Sequence, residues 1–573
     1  MMTKEQSSIS LLNALDNVCS SGLTLSMPEF DRLKKSIKRE CSIFLYKRAT
    51  PLLWAVFLGG TGTGKSLCFN ALCGADISES GVERPKTQGP IAYLHETKLV
   101  NETFPLTDLE IHRIESPSPD KTRNSGISGH ISIIEHKRTD LEHLAIVDTP
   151  DLDSLEIGNR EIAEVFYLLA DIIIFVASQE KYADAVPSQF FQRVYHEGKP
   201  YFFLINKASP ELTRDEVVRF FREQKLDLTT DHLYPIPYLK NASRERITED
   251  SEFTKFKRVF FDFCRSDRFM PMRRDSERHE ARALSRKIDS LLDQVSCEND
   301  AVEEWLGILA KLYTTNSHEI TTKLEQHYKK TSQDHLQREI KKIFAKYDIL
   351  RKPRGYVIRI ITAPLKLLGI TTEKTSRDHA KELHKVRRNI DITPILLVLE
   401  QFNQQVLEQL SPEDETSPLY LELRKPDSVM SEKEIRIRIE EEQDKLAHWL
   451  EETFADMTRG LSKTKEWGIY TTAILWGLMI ISFEIVLLGG IGILEAALDT
   501  ILAPFVTKGS AGLFASREIK KIARELDQRY RAGLLSILKE QKDRYSRGAL
   551  STSTSPETIE MIRSFRHELG DII

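Results

Sequence analysis

Between residues 52 and 209, apolar runs alternate with polar stretches of helical character. The runs are "LLWAVFL" (52–58), "LAIVD" (144–148), "DIIIFVAS" (171–178) and "KPYFFLIN" (199–206). Runs this short and this uniformly apolar predict strands buried on both faces. Helices between them make the sheet mostly parallel. A last strand is expected in "PIPYLKNAS" (235–243). From about 275 to 460 the pattern changes. "RHEARALSRKIDSLLDQV", "AVEEWLGILAKLY" and "EKEIRIRIEEEQDKLAHWLEETF" repeat apolar residues near helical spacing, among Glu, Lys, Arg and Gln and with few glycines. Long helices packed as a bundle or stalk fit that pattern. Leu11, Leu12, Leu15 and Val18 mark one face of an N-terminal helix. Near the other end, residues 515–546 read as a charged amphipathic helix, "STSTSPE" (551–557) as a linker or cap, and the rest as a short last helix.

Two stretches depart from this soluble patterning. Residues 467–506 are nearly continuous apolar sequence, whose charged side chains are Glu484, Glu495 and Asp499. Trp467–Leu488 alone is about 22 residues, enough at 1.5 Å per residue to cross a hydrocarbon core of about 30 Å. Gly489, Gly490 and Gly492 supply a turn, and Ile493–Val506 would return. Lys463 and Lys465 precede the stretch, and Lys508, Arg517, Lys520, Lys521 and Arg524 follow it. Basic flanks at both ends keep both ends on the cytoplasmic side, as a hairpin requires. The carboxylates in the second arm leave three forms open: two spans, a shallow re-entrant hairpin, or a core hairpin buried between helices. The second stretch, "RKPRGYVIRIITAPLKLLGI" (351–370), is either an interfacial segment whose basic side chains meet anionic headgroups or a buried helix broken at Pro364.

Composition narrows the field only a little. The 573 residues suit several domains, and a formal net charge of −5 with no basic, aromatic-interleaved module argues against nucleic acid. The cysteines (Cys19, Cys41, Cys68, Cys73, Cys264 and Cys297) form no CxxC pair and no metal spacing. With no secretory signal, a reducing, cytoplasm-facing location is expected.

The chemistry begins with "GGTGTGKS" (59–66), set between a strand and a helix. Gly59-x-x-x-x-Gly64-Lys65-Ser66 is a phosphate loop in the context that motif needs. Its backbone N–H groups, from Gly59, Gly60, Thr61, Gly62, Thr63 and Gly64 through to Leu67 at the helix start, converge on phosphate oxygens. Lys65 is expected on the β- and γ-phosphates, and the Ser66 hydroxyl on Mg²⁺. Asp148, at the end of a strand, holds Mg²⁺ through water, and Thr87 lies in a loop suited to sensing the γ-phosphate.

The order "GGTGTGKS", "RPKT" (84–87), "DTPD" (148–151) and "NKAS" (206–209) resembles the first four motifs of the dynamin-like large GTPases, bacterial members above all. The resemblance covers roughly residues 40–265 by motif and the remainder by architecture. It implies GTP with Mg²⁺, Thr87 as a further metal ligand, and a nucleotide site completed by Asp151, Asn206, Lys207, Ser209, Asn241 and Ala242. It also implies a helical stalk, pairing of heads and stalks into homodimers or larger homo-oligomers, and action on membrane lipids at the cytoplasmic face of a bacterial inner membrane.

This chain departs from that pattern at several positions. Ser209 stands where the family carries the aspartate that reads guanine, so discrimination against ATP weakens; Glu211 is an alternative acceptor. Leu152 stands where small GTPases place a water-orienting glutamine. Thr61 and Gly62 replace the phosphate-loop glutamine and serine of dynamins. Hydrolysis then rests on a backbone carbonyl, Thr61, a residue supplied in trans, or Arg84 as an internal charge stabiliser, and basal turnover is expected to be slow. No lipid-binding domain of the type that dynamins proper carry is recognisable.

The expected architecture is an α/β P-loop GTPase domain plus a long α-helical bundle or stalk with a hydrophobic membrane hairpin. Its segments are an N-terminal helix joining the bundle (1–40), the GTPase domain (41–270), the stalk (271–466), the hairpin (467–506) and returning helices (507–573). The expected function is a GTP-hydrolysing protein that remodels or tethers membranes. Two rivals stay open: a membrane-anchored switch that recruits a protein partner, and a soluble P-loop NTPase with a buried apolar hairpin.

Overall fold

The computed structural model describes residues 4–50, 52–79, 89–96, 104–106, 109–114, 129–152, 157–180, 185–223, 225–226, 228, 230–239, 243–346, 393–459 and 510–573. Expectations for Arg84, Thr87, Asn241, Ala242, residues 351–370 and the apolar stretch 467–506 lie outside the described residues. Among the described residues, no helix is long and apolar enough to cross a membrane.

The chain forms two units. The first comprises Met1–Val18, Pro28–Val295 and Ser555–Ile573; the second comprises Cys19–Met27 and Ser296–Thr554. At the centre of the first unit is an eight-stranded sheet of β1 (Leu53–Gly59), β2 (Ile91–His95), β3 (Glu110–Ile114), β4 (His130–His136), β5 (Leu144–Asp148), β6 (Ile172–Ser178), β7 (Tyr201–Ala208) and β8 (Leu233–Pro237). The strand order is β3-β4-β2-β5-β1-β6-β7-β8. The β2–β5 pairing is antiparallel, with Ile91 opposite Asp148; the others are parallel. Mostly parallel is therefore right, with one reversal that sets the start of β2 beside the end of β5.

Burial on both faces follows from the alternation of side chains along each strand. Trp54, Val56 and Leu58 of β1 enter one core, and Leu53, Ala55 and Phe57 enter the other. The first core is covered by α2 (Met27–Ala49), α4 (Ile157–Leu169), α5 (Ala185–His196) and α6 (Arg214–Glu223), through Ile43 and Tyr46, Phe166, Phe191 and Phe221 respectively. The second is covered by α3 (Lys65–Cys73), α7 (Arg244–Glu249) and α8 (Ser251–Phe263), through Phe69 and Leu72, Ile247, and Phe253, Phe256 and Phe260. The start of α8 is set by Asp250, whose carboxylate accepts from the N–H groups of Glu252 and Phe253 at 3.0 Å.

The N-terminal segment is two helices rather than one. α1 (Lys4–Asp16) ends before a loop in which Gly22 takes φ 72°, and α2 begins at Met27. A Cβ on Gly22 would lie 2.5 Å from the Ser417 Cβ, so only glycine fits there. The long helix α9 (Ser266–Lys346) contributes to both units. The second unit adds α10 (Thr393–Leu410), α11 (Pro418–Leu423), α12 (Glu432–Arg459) and α13 (Ser510–Ser551); α14 (Pro556–Ile572) returns to the first unit and packs against α1. In the second unit, polar ties set register within an apolar bundle core. Trp305 Nε1 donates to the Leu410 carbonyl at 2.7 Å, and Tyr545 donates to Asn403 Oδ1 at 3.0 Å. Gln541 accepts from the Met430 N–H and donates to the Ser428 carbonyl, both at 2.8 Å. Of the two forms expected at 551–557, linker or cap, the chain takes the cap: the Ser555 hydroxyl accepts from the Thr558 N–H, and Pro556 occupies the first turn.

Candidate functional site

Parallel strands end at the same sheet edge, so β1, β5, β6 and β7 deliver their following loops to one place. The loop after β1 turns through Gly62 (φ 72°) and Gly64 (φ 88°) into α3. Two of its glycines are required by close approach. A Cβ on Gly59 would lie 2.1 Å from the Val176 carbonyl oxygen, and one on Gly64 would lie 2.1 Å from Asn206 Nδ2. The loop is cross-braced by the Thr63 hydroxyl, which donates to the Gly60 carbonyl at 2.9 Å. Thr61 and Ser66 are half-buried at its rim, as is Leu67.

Lys65 is 3% exposed, an expensive place for an ammonium. Its Nζ lies 3.1 Å from Asp151 Oδ1 and 3.6 Å from Asp148 Oδ1. Burial by itself would lower the lysine pKa, but the two carboxylates outweigh burial and hold it above the ordinary value. The amine therefore stays charged at neutral pH and is paired within the protein.

Asp148 is fully buried, and each of its oxygens has a different environment. Oδ2 accepts from the Ser78 hydroxyl at 2.7 Å. Oδ1 has no hydrogen-bond partner among the described residues. Ser78 is fixed in turn by Asn70 of α3. The Asn70 Oδ1 accepts from the N–H groups of Ile77 (3.0 Å) and Ser78 (2.8 Å), and its Nδ2 donates to the Ser78 carbonyl at 2.8 Å. Next in the chain, the Thr149 hydroxyl donates to the Phe57 carbonyl at 2.7 Å and the Leu152 N–H donates to the Gly59 carbonyl at 3.1 Å. Leu152 itself is buried in the core and cannot orient water.

The loop after β7 docks on the phosphate loop. Asn206 Nδ2 donates to the Thr63 carbonyl at 2.9 Å, while its Oδ1 accepts from the Lys207 N–H. Lys207 takes φ 58°, uncommon for a non-glycine residue, and its Nζ reaches the Gly62 carbonyl at 2.9 Å. Ser209 is half-buried; its N–H donates to Gln179 Oε1, and its Oγ accepts from Gln179 Nε2 at 3.3 Å. Glu211 is exposed.

Of the residues singled out in the sequence, the structure brings together the phosphate loop, Asp148, Asp151, Asn206, Lys207 and Ser209. Residues on either side of the segment carrying Arg84 and Thr87 lie beside Asp148: Ser78 hydrogen-bonds it, and Ile91 pairs with it in the sheet. Ser78, Asn70 and Gln179 were not visible in the sequence, since each acts through a neighbour remote in the chain. The donor set fits Mg²⁺, a hard cation that takes oxygen ligands. The set comprises the Ser66 hydroxyl and the buried Asp148 carboxylate, whose Oδ1 accepts no hydrogen bond among the described residues and faces the Lys65 amine at 3.6 Å.

Residues 55–208, from within β1 to the last residue of β7, match the model of the Dynamin family. A protein of Caldicellulosiruptor sp. (strain Rt8B.4), described as "Uncharacterized protein in xynA 3'region", is 26% identical over 234 residues, or 38% of this chain. The match spans 56% of that protein, little more than half its length. Two solved chains from work described as an oligomerised bacterial dynamin pair that senses and tethers membranes also align. One is 14% identical and covers 99% of this chain and 81% of its own, with a TM-score of 0.27; the other is 13% identical and covers 90% and 91%, with a TM-score of 0.29.

Proposed function

We infer that this chain, a bacterial dynamin-like protein whose residues 55–208 carry the family's nucleotide-binding segment, binds and slowly hydrolyses GTP and acts at a membrane. The observation that carries the nucleotide reading is the convergence on Lys65. A buried lysine at the head of α3 meets two carboxylates from the end of β5, and Asn206 clamps the same loop from β7. In this reading the N–H groups of residues 59–67 hold the phosphates. Lys65 exchanges its carboxylate partners for β- and γ-phosphate oxygens. Ser66 and Asp148, with Thr87, hold Mg²⁺, which supplies positive charge to those same oxygens when bound. Asn206, Lys207 and Ser209 face the base, joined by Asn241 and Ala242.

Slow basal turnover follows from what lines the site. Leu152 is in the core, and Thr61 stands where dynamins carry glutamine, so no side chain of the described residues is an evident water-orienting group. Arg84 is the internal candidate for stabilising charge on the transferring phosphoryl group. The membrane reading rests on residues 467–506 and their basic flanks, with self-association of heads and helices converting nucleotide state into tethering or remodelling. The buried Leu152 also favours a second reading, a membrane-anchored switch that waits for an external activator.

GTP turnover per molecule on liposomes, measured as surface density is raised, separates these readings. A rate that climbs with density is expected from self-activation. A flat rate with GTP bound supports the switch. Lys65→Ala should abolish tight nucleotide binding yet leave lipid association largely intact; normal nucleotide affinity in that variant would sink the site assignment.

A further inference from the structure

Carboxylates that read guanine do so because guanine presents only donors, N1–H and the N2 amino group, along the edge they face. Adenine presents an acceptor, N1, beside a donor, the N6 amino group. A carboxylate accepts only, so it rewards guanine and repels adenine N1. This chain has no carboxylate at that position. Ser209 is there instead, and the space beside it is filled by the side-chain amide of Gln179, which follows the last residue of β6. The amide is held on two sides: its Oε1 accepts from the Ser209 N–H, and its Nε2 donates to Ser209 Oγ. The Gln179 N–H donates to the Asn206 carbonyl at 3.2 Å, so the backbone of Gln179 is fastened to the base loop as well. Lys207 and Asn206 anchor that loop to Gly62 and Thr63, which puts the pair at the side of the site where the base belongs. Glu211 is exposed in the turn closed by the Leu212 N–H to the Ser209 carbonyl (3.1 Å) and is not drawn into the pair.

Resting on the nucleotide-site reading above, we propose that Gln179 and Ser209 together form a neutral reading edge for the purine base, so that the site takes adenine as well as guanine nucleotides. A hydroxyl and a carboxamide each donate and accept. The hydroxyl can turn, while the held amide keeps a second lone pair on Oε1 for guanine and a second N–H on Nε2 for adenine, so the pair serves either purine and lacks the fixed charge that penalises adenine. Gln179 is on this account a specificity-determining residue, and the shortness of Ser209 gives its amide room.

The test is titration of the full chain, with Mg²⁺, by fluorescent GDP and ADP, with inorganic tripolyphosphate as competitor. Neutral hydrogen bonds allow a GDP preference of about tenfold or less in the wild type. Ser209→Asp should sharpen it by about a further tenfold or more, through charge-assisted bonds to guanine. Gln179→Ala should weaken both nucleotides severalfold while tripolyphosphate competes as before, since phosphate contacts are untouched. A larger wild-type preference overturns the proposal, as do unchanged affinities in Gln179→Ala or loss of GDP preference in Glu211→Ala. Those outcomes leave the nucleotide site standing. Wild-type protein that binds neither nucleotide nor tripolyphosphate, and behaves like Lys65→Ala, overturns the site reading itself.

Discussion

Lys65 and Asp151 show how a single side chain can preload a cationic site. Asp151 supplies a carboxylate 3.1 Å from the Lys65 amine. On the proposed reading a nucleotide entering the site displaces that pairing, which makes Asp151 an internal competitor. Asp151→Asn keeps the backbone N–H and the side-chain shape but removes the charge. It should tighten GDP binding on the order of tenfold, the worth of a charged hydrogen bond released from competition. Equal or weaker binding in a fluorescent-nucleotide titration would show that the pairing imposes no barrier. Asp148 stays in place through that change because Ser78 and Asn70 hold it independently.

At the scale of elements, a buried charge cluster ties α2, β6, β7 and α9 together at the sheet edge opposite the nucleotide site. Lys47 of α2 meets Asp171 Oδ1 at 3.1 Å and Glu280 Oε1 at 2.8 Å, and Asp171 Oδ2 accepts from the Trp54 N–H. Lys199 donates to the carbonyls of Tyr167, Leu168 and Ala170. Burial dominates at Lys199 and lowers its pKa to about 8. Lys47, although penalised by burial, is carried the other way by its carboxylates. A lysine whose folded pKa is depressed binds fewer protons than the unfolded chain between about pH 8 and the ordinary lysine value of 10.5, so its contribution to stability rises with pH across that window. The buried thiols of Cys41, Cys68, Cys73 and Cys264 have raised pKa values and act in the opposite sense at alkaline pH. The signature is therefore a difference: from pH 8 to 10.5, wild type should gain roughly 2–3 kcal/mol relative to Lys199→Met in denaturant unfolding. Parallel curves would mean that Lys199 titrates normally. At the α1–α2 loop another buried group does similar structural work. Glu298 accepts from the hydroxyls of Ser20, Ser21 and Thr24 and from the N–H groups of Gly22, Leu23 and Thr24.

For the molecule as a whole, the proposed nucleotide chemistry and the proposed membrane attachment belong to different stretches of chain. The site is built from residues 59–209, and the apolar stretch is 467–506. Deletion of 467–506 from the full chain should abolish co-flotation with liposomes and leave GDP affinity within about twofold, since the two stretches share no residue and independent sites combine additively. Co-flotation that survives the deletion would move the membrane contact elsewhere, with the basic apolar segment 351–370 next in line.

The apolar runs were enough to place β1, β5, β6 and β7, because a strand buried on both faces needs uniformly apolar sequence, and the phosphate loop was legible because glycine spacing is a local property. The alternating helices made the sheet mostly parallel, which already implied that Asp148, Asn206 and the phosphate loop would lie at one edge. Tertiary structure alone decided the rest. That β2 runs antiparallel to β5 depends on pairing between segments far apart. That Ser78 steadies Asp148, that Gln179 backs Ser209, and that the lysines of the buried cluster shift in opposite directions depend on side chains brought together from separate elements. Hydrophobic periodicity reports which face of an element is buried; it carries no record of which polar partner waits on the neighbouring one.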